Sequence, residues 1–150
     1  MIEKGMKAPD FSLVDAAGKT WTLADFSGSS FVLYFYPRDD TPGCTVEACE
    51  FRDSSKEFAK RGIRVVGVSP DSPASHAKFQ EKHSLPFILL SDPEKKTLAA
   101  YGAFGEKMMY GKKVMGVIRS TFVIDGKGVV AKAFPKVTPA GHAAQILSAL

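Results

Sequence analysis

The stretch Phe31 to Tyr36, FVLYFY, limits what this chain can fold into more than any other. Six consecutive apolar and aromatic residues leave no face for solvent, and Pro37 ends the run at once. That pattern predicts a strand buried on both sides in the middle of a sheet. A strand of this kind needs helices over both faces, and the sequence provides candidates. Ala48, Phe51, Ser55 and Phe58 recur at helical spacing, which predicts a helix from Cys44 to about Arg61 with Gly62 as its C-cap. Beyond it, IRVVGVS reads as a second buried strand, SPASHAKFQEKHS as a helix with proline in its first turn, PFILL as a strand, and DPEKKTLAAYG as a short helix closed by Gly102.

The flanks complete the pattern. FSLVDAAGKTWTL alternates apolar and polar residues around Ala-Ala-Gly, a β-hairpin expected to cover one edge or end of the core. AFGEKMMYGKKVMG, from Ala103 to Gly116, is rich in Gly and Met without a clean period and reads as an irregular loop, whose Phe104 to Met115 part offers an apolar approach to a site. RSTFVIDGKGVVAKAF reads as an antiparallel hairpin about Asp-Gly-Lys-Gly, and TPAGHAAQILSAL as a last helix with Thr138 as N-cap and Pro139 at its first position. Strands alternating with helices, then a hairpin, define an α/β chain: a mixed central sheet flanked by helices, compatible with a thioredoxin-like core carrying an N-terminal β-hairpin extension. With 150 residues, no repeats and no linker, residues 1–150 are expected to form one domain.

Composition narrows the setting. A hydrophobic share of 45% with 24% charged residues is that of an ordinary globular protein. Neither a signal peptide nor a membrane-spanning run is visible, so a cytoplasmic location is expected. In a reducing compartment two cysteines are more often reactive or metal-binding than a permanent bridge. The net charge of +4 is concentrated in residues 101 to 150, with seven Lys or Arg against two Asp or Glu. Those lysines are scattered, which fits a solvated surface and no nucleic-acid patch.

Both cysteines fall in one short segment. Cys44 follows Asp-Asp-Thr-Pro-Gly at a helix start, where unpaired N–H groups and the helix dipole favour a thiolate. Cysteines in such settings have pKa values of roughly 3.5 to 7.5 and act as nucleophiles. Cys49, five residues on, points about 140° away around the helix with its Cα about 9 Å distant, beyond the reach of a disulfide until the helix unwinds. It shares its face with Asp53, Lys56 and Lys60, so partial exposure is expected. A C-x-x-x-x-C spacing is not the C-x-x-C of a disulfide oxidoreductase. His76, His83 and His142 show no zinc-ligand spacing and read as surface or helix-end residues.

YPRDDTPGCT carries Pro37, Thr41 and Cys44 in a P-x-x-x-T-x-x-C pattern. That pattern resembles the peroxiredoxins, and GCTVEACEFRD resembles their Q-type, or bacterioferritin comigratory protein, subgroup. GVIRSTFVID is similar to the strand by which that family brings a distant arginine, here Arg119, to the cysteine, and the likeness extends over most of the chain. Arg38 stands where lysine is more usual, a departure that touches only surface contacts. The resemblance implies a peroxidase acting on hydrogen peroxide and organic hydroperoxides, without cofactor or metal. Cys44 would be the peroxidatic nucleophile and Cys49 the resolving thiol, with Thr41 and Arg119 around the peroxide and Pro37 shielding the sulfur. It implies recycling by thioredoxin or a similar dithiol, and a monomer with neither membrane nor nucleic-acid partner. A peroxide-sensing thiol relay and a general disulfide oxidoreductase are the alternatives.

Overall fold

A computed structural model describes residues 1–150. The FVLYFY segment is β3 (Phe31–Phe35), with Tyr36 just beyond it donating its N–H to the Val68 carbonyl. Its neighbours are β4 (Arg64–Ser69), parallel to it, and β8 (Ser120–Ile124), antiparallel. Beyond β4 lies β5 (Ile88–Ser91), also parallel, and beyond β8 lies β9 (Val130–Phe134), antiparallel. The N-terminal hairpin, β1 (Ser12–Asp15) and β2 (Thr20–Thr22), pairs along β5 and closes that edge, giving the order β2-β1-β5-β4-β3-β8-β9. Asp15 shapes its turn by accepting from the Ala17 and Lys19 N–H groups and the Trp21 indole.

Successive side chains of β3 point to opposite faces, and a separate core covers each. Phe31, Leu33 and Phe35 join Val66, Val68 and Phe122 on one side. Val32, Tyr34 and Tyr36 join Phe51, Phe79 and Cys44 on the other. This is why the run has no polar position. The close stacking of Tyr34 leaves no room beside it: a Cβ on Gly67 of β4 would stand 2.8 Å from both Leu89 Cδ2 and Tyr34 Cζ. Gly67→Ala is therefore expected to lower unfolding free energy by about 1–3 kcal/mol through overpacking, read as a lower midpoint in urea.

Helices α1 (Pro42–Asp53), α2 (Ser55–Lys60), α3 (Pro73–His83), α4 (Lys96–Ala100) and α5 (His142–Ala149) connect or follow the strands. Three expectations are corrected here. The helix expected from Cys44 to Arg61 begins two residues earlier and breaks at Ser54, where two consecutive serines interrupt helical dihedrals (φ −95°, ψ 3°). Its far end is as expected: Gly62 takes φ +68° and the N–H of Ile63 reaches back to the Phe58 carbonyl.

The segment read as an irregular loop is a second hairpin, β6 (Phe104–Met109) and β7 (Lys112–Val117), turned at Tyr110 and Gly111, both with positive φ. Its sequence lacks alternation because it stands apart from the main sheet with both faces largely solvated. Met108, Met109 and Met115 on this hairpin are exposed. The last helix starts at His142, because Gly141 takes φ +82° and the chain bends at Pro139 and turns at Ala140 and Gly141 before it. No helix is long and apolar enough to cross a membrane.

Candidate active site

The loop from Pro37 to Thr41 leaves the C-terminal end of β3 and delivers the chain to α1, with Thr41 as N-cap in an extended conformation and Pro42 in the first turn. Cys44 is therefore the third helical residue, among the N–H groups that no carbonyl of the helix satisfies. It is 1% exposed and belongs to the core on that face of the sheet.

Arg119, 75 residues later, reaches the sulfur: its Nη2 lies 3.2 Å from Cys44 Sγ. Topology explains how. Antiparallel pairing places Ser120 opposite Phe35, so the residue before Ser120 emerges beside the loop that carries the cysteine. The N–H of Val137 holds the Arg119 carbonyl at 3.1 Å. Gly43 leaves the guanidinium its space, since a Cβ there would stand 3.4 Å from Nη2 and 3.3 Å from Pro139 Cγ.

The other nitrogen of Arg119 identifies a residue that sequence reasoning missed. Nη1 donates to Glu47 Oε1 at 2.6 Å, and the Glu47 side chain is fully buried. Burial pushes its carboxyl up to about 7, against the opposing pull of Arg119, and Oε2 has no hydrogen-bond partner. Burial works against the charge of Arg119 as well, but Glu47 and the Cys44 sulfur more than offset it and raise its pKa. The signal was present in the sequence: Glu47 is three residues after Cys44 and next to Ala48, inside the helix's buried stripe, where a carboxylate needs a cation.

A raised carboxyl has a defined effect on stability. Below its unfolded value of 4.5 both states hold the proton; between 4.5 and about 7 only the folded state does, so stability falls as pH rises through that window. Glu47→Gln removes this contribution. The melting temperature of the variant relative to the native protein is expected to climb between pH 4.5 and 7, as thermal melts across that range would show.

The remaining candidates are placed as follows. The Thr41 hydroxyl donates to the Arg38 carbonyl at 2.9 Å, so its lone pairs are what it offers to a ligand. Pro37 is half-buried at the start of the loop. Cys49 lies on the same unbroken helix, partly exposed, and both cysteines are free thiols. Intact helical geometry keeps their Cα atoms about 9 Å apart, outside disulfide range.

The reading of the histidines as surface or helix-end residues is corrected for His76, buried within α3, whereas His83 ends α3 and His142, though buried, begins α5. His76 and His142 are buried because each ring nitrogen has a partner: Asp39 and the Leu90 carbonyl for His76, Gln145 and Thr121 for His142. Burial lowers the pKa of His142. Next to it, Glu50 of α1 accepts the Gly141 N–H at 2.8 Å, fastening the start of α5 to the cysteine helix.

A thioredoxin-like sheet, a helix-start cysteine at the end of its central strand and an arginine on the sulfur define a thiol-based peroxide-reducing class. The comparisons agree. A family model described as AhpC/TSA family matches residues 4–133. Peroxiredoxin Bcp of Bacillus subtilis is 50% identical over 149 residues, covering 99% of this chain and 95% of that one. Among solved structures, the bacterioferritin comigratory protein of Xanthomonas campestris, studied for its alkyl peroxide reduction activity, superposes with TM-score 0.88 at 42% identity over 93% of this chain and 88% of that one. A Cys-to-Ser mutant of Xylella fastidiosa PrxQ gives TM-score 0.92 at 33% identity, covering 99% and 95%. This chain belongs to the AhpC/TSA family, within its Bcp and Q-type peroxiredoxins, and is a thiol-dependent peroxidase.

Proposed function

We propose that the chain works as one domain, residues 1–150, in which Cys44 is the peroxidatic nucleophile and Cys49 the resolving thiol. The observation that carries this reading is the Arg119 guanidinium on Cys44 Sγ at 3.2 Å, at a helix N-terminus. Both features favour negative charge on the sulfur and on the oxygens of the breaking bond.

The Cys44 thiolate attacks the nearer oxygen of a hydroperoxide. The S–O bond forms as the O–O bond breaks, the sulfur gives up two electrons to become a sulfenic acid, and the leaving alkoxide or hydroxide takes a proton to become alcohol or water. Arg119 and the helix N–H groups stabilise the developing charge. The Thr41 hydroxyl, its own hydrogen committed to Arg38, accepts from the O–H of the peroxide. Pro37 limits water around the sulfur. Hydrogen peroxide and organic hydroperoxides are the proposed substrates; the alkyl peroxide reduction of the Xanthomonas relative supports the latter.

The Cys49 thiol then condenses with the sulfenic acid, releasing water and forming the Cys44–Cys49 disulfide. Since the intact helix holds the sulfurs apart, α1 unwinds locally at this step. A dithiol, proposed to be thioredoxin, attacks the bridge and leaves as its own disulfide, restoring both thiols. The protein is proposed to act as a monomer in the cytoplasm, where a reducing environment keeps both thiols free.

The reading is tested by mass spectrometry of the protein after one equivalent of peroxide. An intramolecular Cys44–Cys49 bridge is expected, with persistent Cys44 sulfenic acid in Cys49→Ser. A native protein that stops at the sulfenic acid would instead support a one-cysteine cycle.

A further inference from the structure

Beneath the loop that leads to Cys44 lies a buried polar cluster that takes no part in the chemistry above. Asp39 sits between Pro37 and Thr41 and is 8% exposed. Its Oδ1 accepts from the Tyr36 hydroxyl at 2.6 Å, and its Oδ2 accepts from the Ser75 hydroxyl at 2.8 Å and lies 2.7 Å from His76 Nδ1. Its N–H donates to Asp71 Oδ2 at 2.8 Å, an oxygen that also accepts from the Ser69 hydroxyl at 2.6 Å.

His76 has no exposed surface, and its Nε2 faces the Leu90 carbonyl at 3.0 Å. A carbonyl only accepts, so Nε2 donates to Leu90, and the contact between Nδ1 and Oδ2 is a hydrogen bond that ties the Asp39 side chain to the buried ring. The next residue, Asp40, takes φ +58° and is held at the end of α3 by Lys82 at 2.8 Å and His83 at 3.2 Å. Two consecutive loop residues are thus fastened to α3 and its surroundings, none of which belongs to α1.

We propose that Asp39, acting through His76, is a positioning residue that fixes the upstream end of the cysteine loop while α1 unwinds downstream of it. Thr41 caps the helix two residues beyond Asp39, so the setting of this loop determines where Cys44 stands relative to Arg119, which arrives from a different strand. Holding the loop gives attack its geometry; leaving Gly43 onward free of the anchor permits the later unwinding. The inference rests on the proposed roles of Cys44 and Cys49.

The test is quenched-flow mass spectrometry, which resolves Cys44 oxidation from disulfide formation, applied to Asp39→Ala and His76→Gln. Asp39→Ala is expected to slow Cys44 oxidation about tenfold, through lost orientation, without slowing the Cys44–Cys49 step. His76→Gln keeps a donor toward Oδ2 and is expected to recover most of the rate. If Asp39→Ala does not fold, His76→Phe, which fills the site without a donor, carries the same expectation.

Oxidation within about twofold of native, or both steps falling in parallel with thermal stability, overturns the anchor. Cys44→Ser, run alongside, separates the two readings. Peroxide reaction surviving in that variant overturns the catalytic assignment, whereas a Cys44-dependent reaction indifferent to Asp39 overturns only the anchor.

Discussion

Cys44→Ser is expected to abolish peroxide consumption, a loss on the order of 10⁴-fold or more in a thioredoxin-coupled assay. The exchange is nearly isosteric, so loop, helix start and Arg119 stay in place, and thermal stability should change little. What disappears is the polarisable sulfur, which in the proposed cycle takes up a peroxide oxygen as a sulfenic acid and loses it as water when a second thiol condenses with it. A folded Cys44→Ser protein that still turned over hydroperoxide would remove the assignment.

Arg119→Met should produce the second-largest effect, and it acts in two places. At the sulfur it deletes the donor seen at 3.2 Å and the cation itself, for which a loss of about 10²–10³ in kcat/KM is expected, as for other preorganised donors to developing charge. At Glu47 it removes the only partner of a buried carboxyl. Breaking a buried pair costs about 3–5 kcal/mol where the remaining charge cannot neutralise. Here Glu47 can take up a proton, since burial already holds its carboxyl up at about 7.

The sign follows from that. Without Arg119 the folded carboxyl is raised further, so the variant's stability deficit is small at acidic pH and grows as pH rises past about 7. The double variant Arg119→Met with Glu47→Gln is expected to regain stability at pH 8 but not rate. Recovery of rate in the double variant would show that Arg119 serves only to neutralise Glu47.

Much of this site can be read along the chain because its parts are local. The turn Thr41-Pro42-Gly43 before Cys44, and the five-residue step to Cys49, follow from sequence order and helical geometry. The sheet's central strand was equally legible, since a run with no polar position has only one stable environment. Irregular elements were not. The β6–β7 hairpin escaped because neither face packs on the main sheet, so burial imposes no alternation on Met108, Met109 and Met115. The break at Ser54 and the late start of α5 at His142 escaped because apolar spacing continues across both points.

What this sequence settles by itself is that one cysteine stands at the start of a helix and that the other is out of its reach while that helix is intact, for both are consequences of bonds between close neighbours. Only the tertiary structure decides what surrounds that sulfur. Arg119 arrives because β8 pairs with β3, Glu47 becomes an ion-pair partner because the face it shares with Cys44 is the buried one, and Asp39 meets His76 because α3 packs beneath the loop. Each of these contacts joins residues whose side-chain chemistry the sequence displays but whose proximity it does not, since long-range pairing is fixed by how strands and helices share one core.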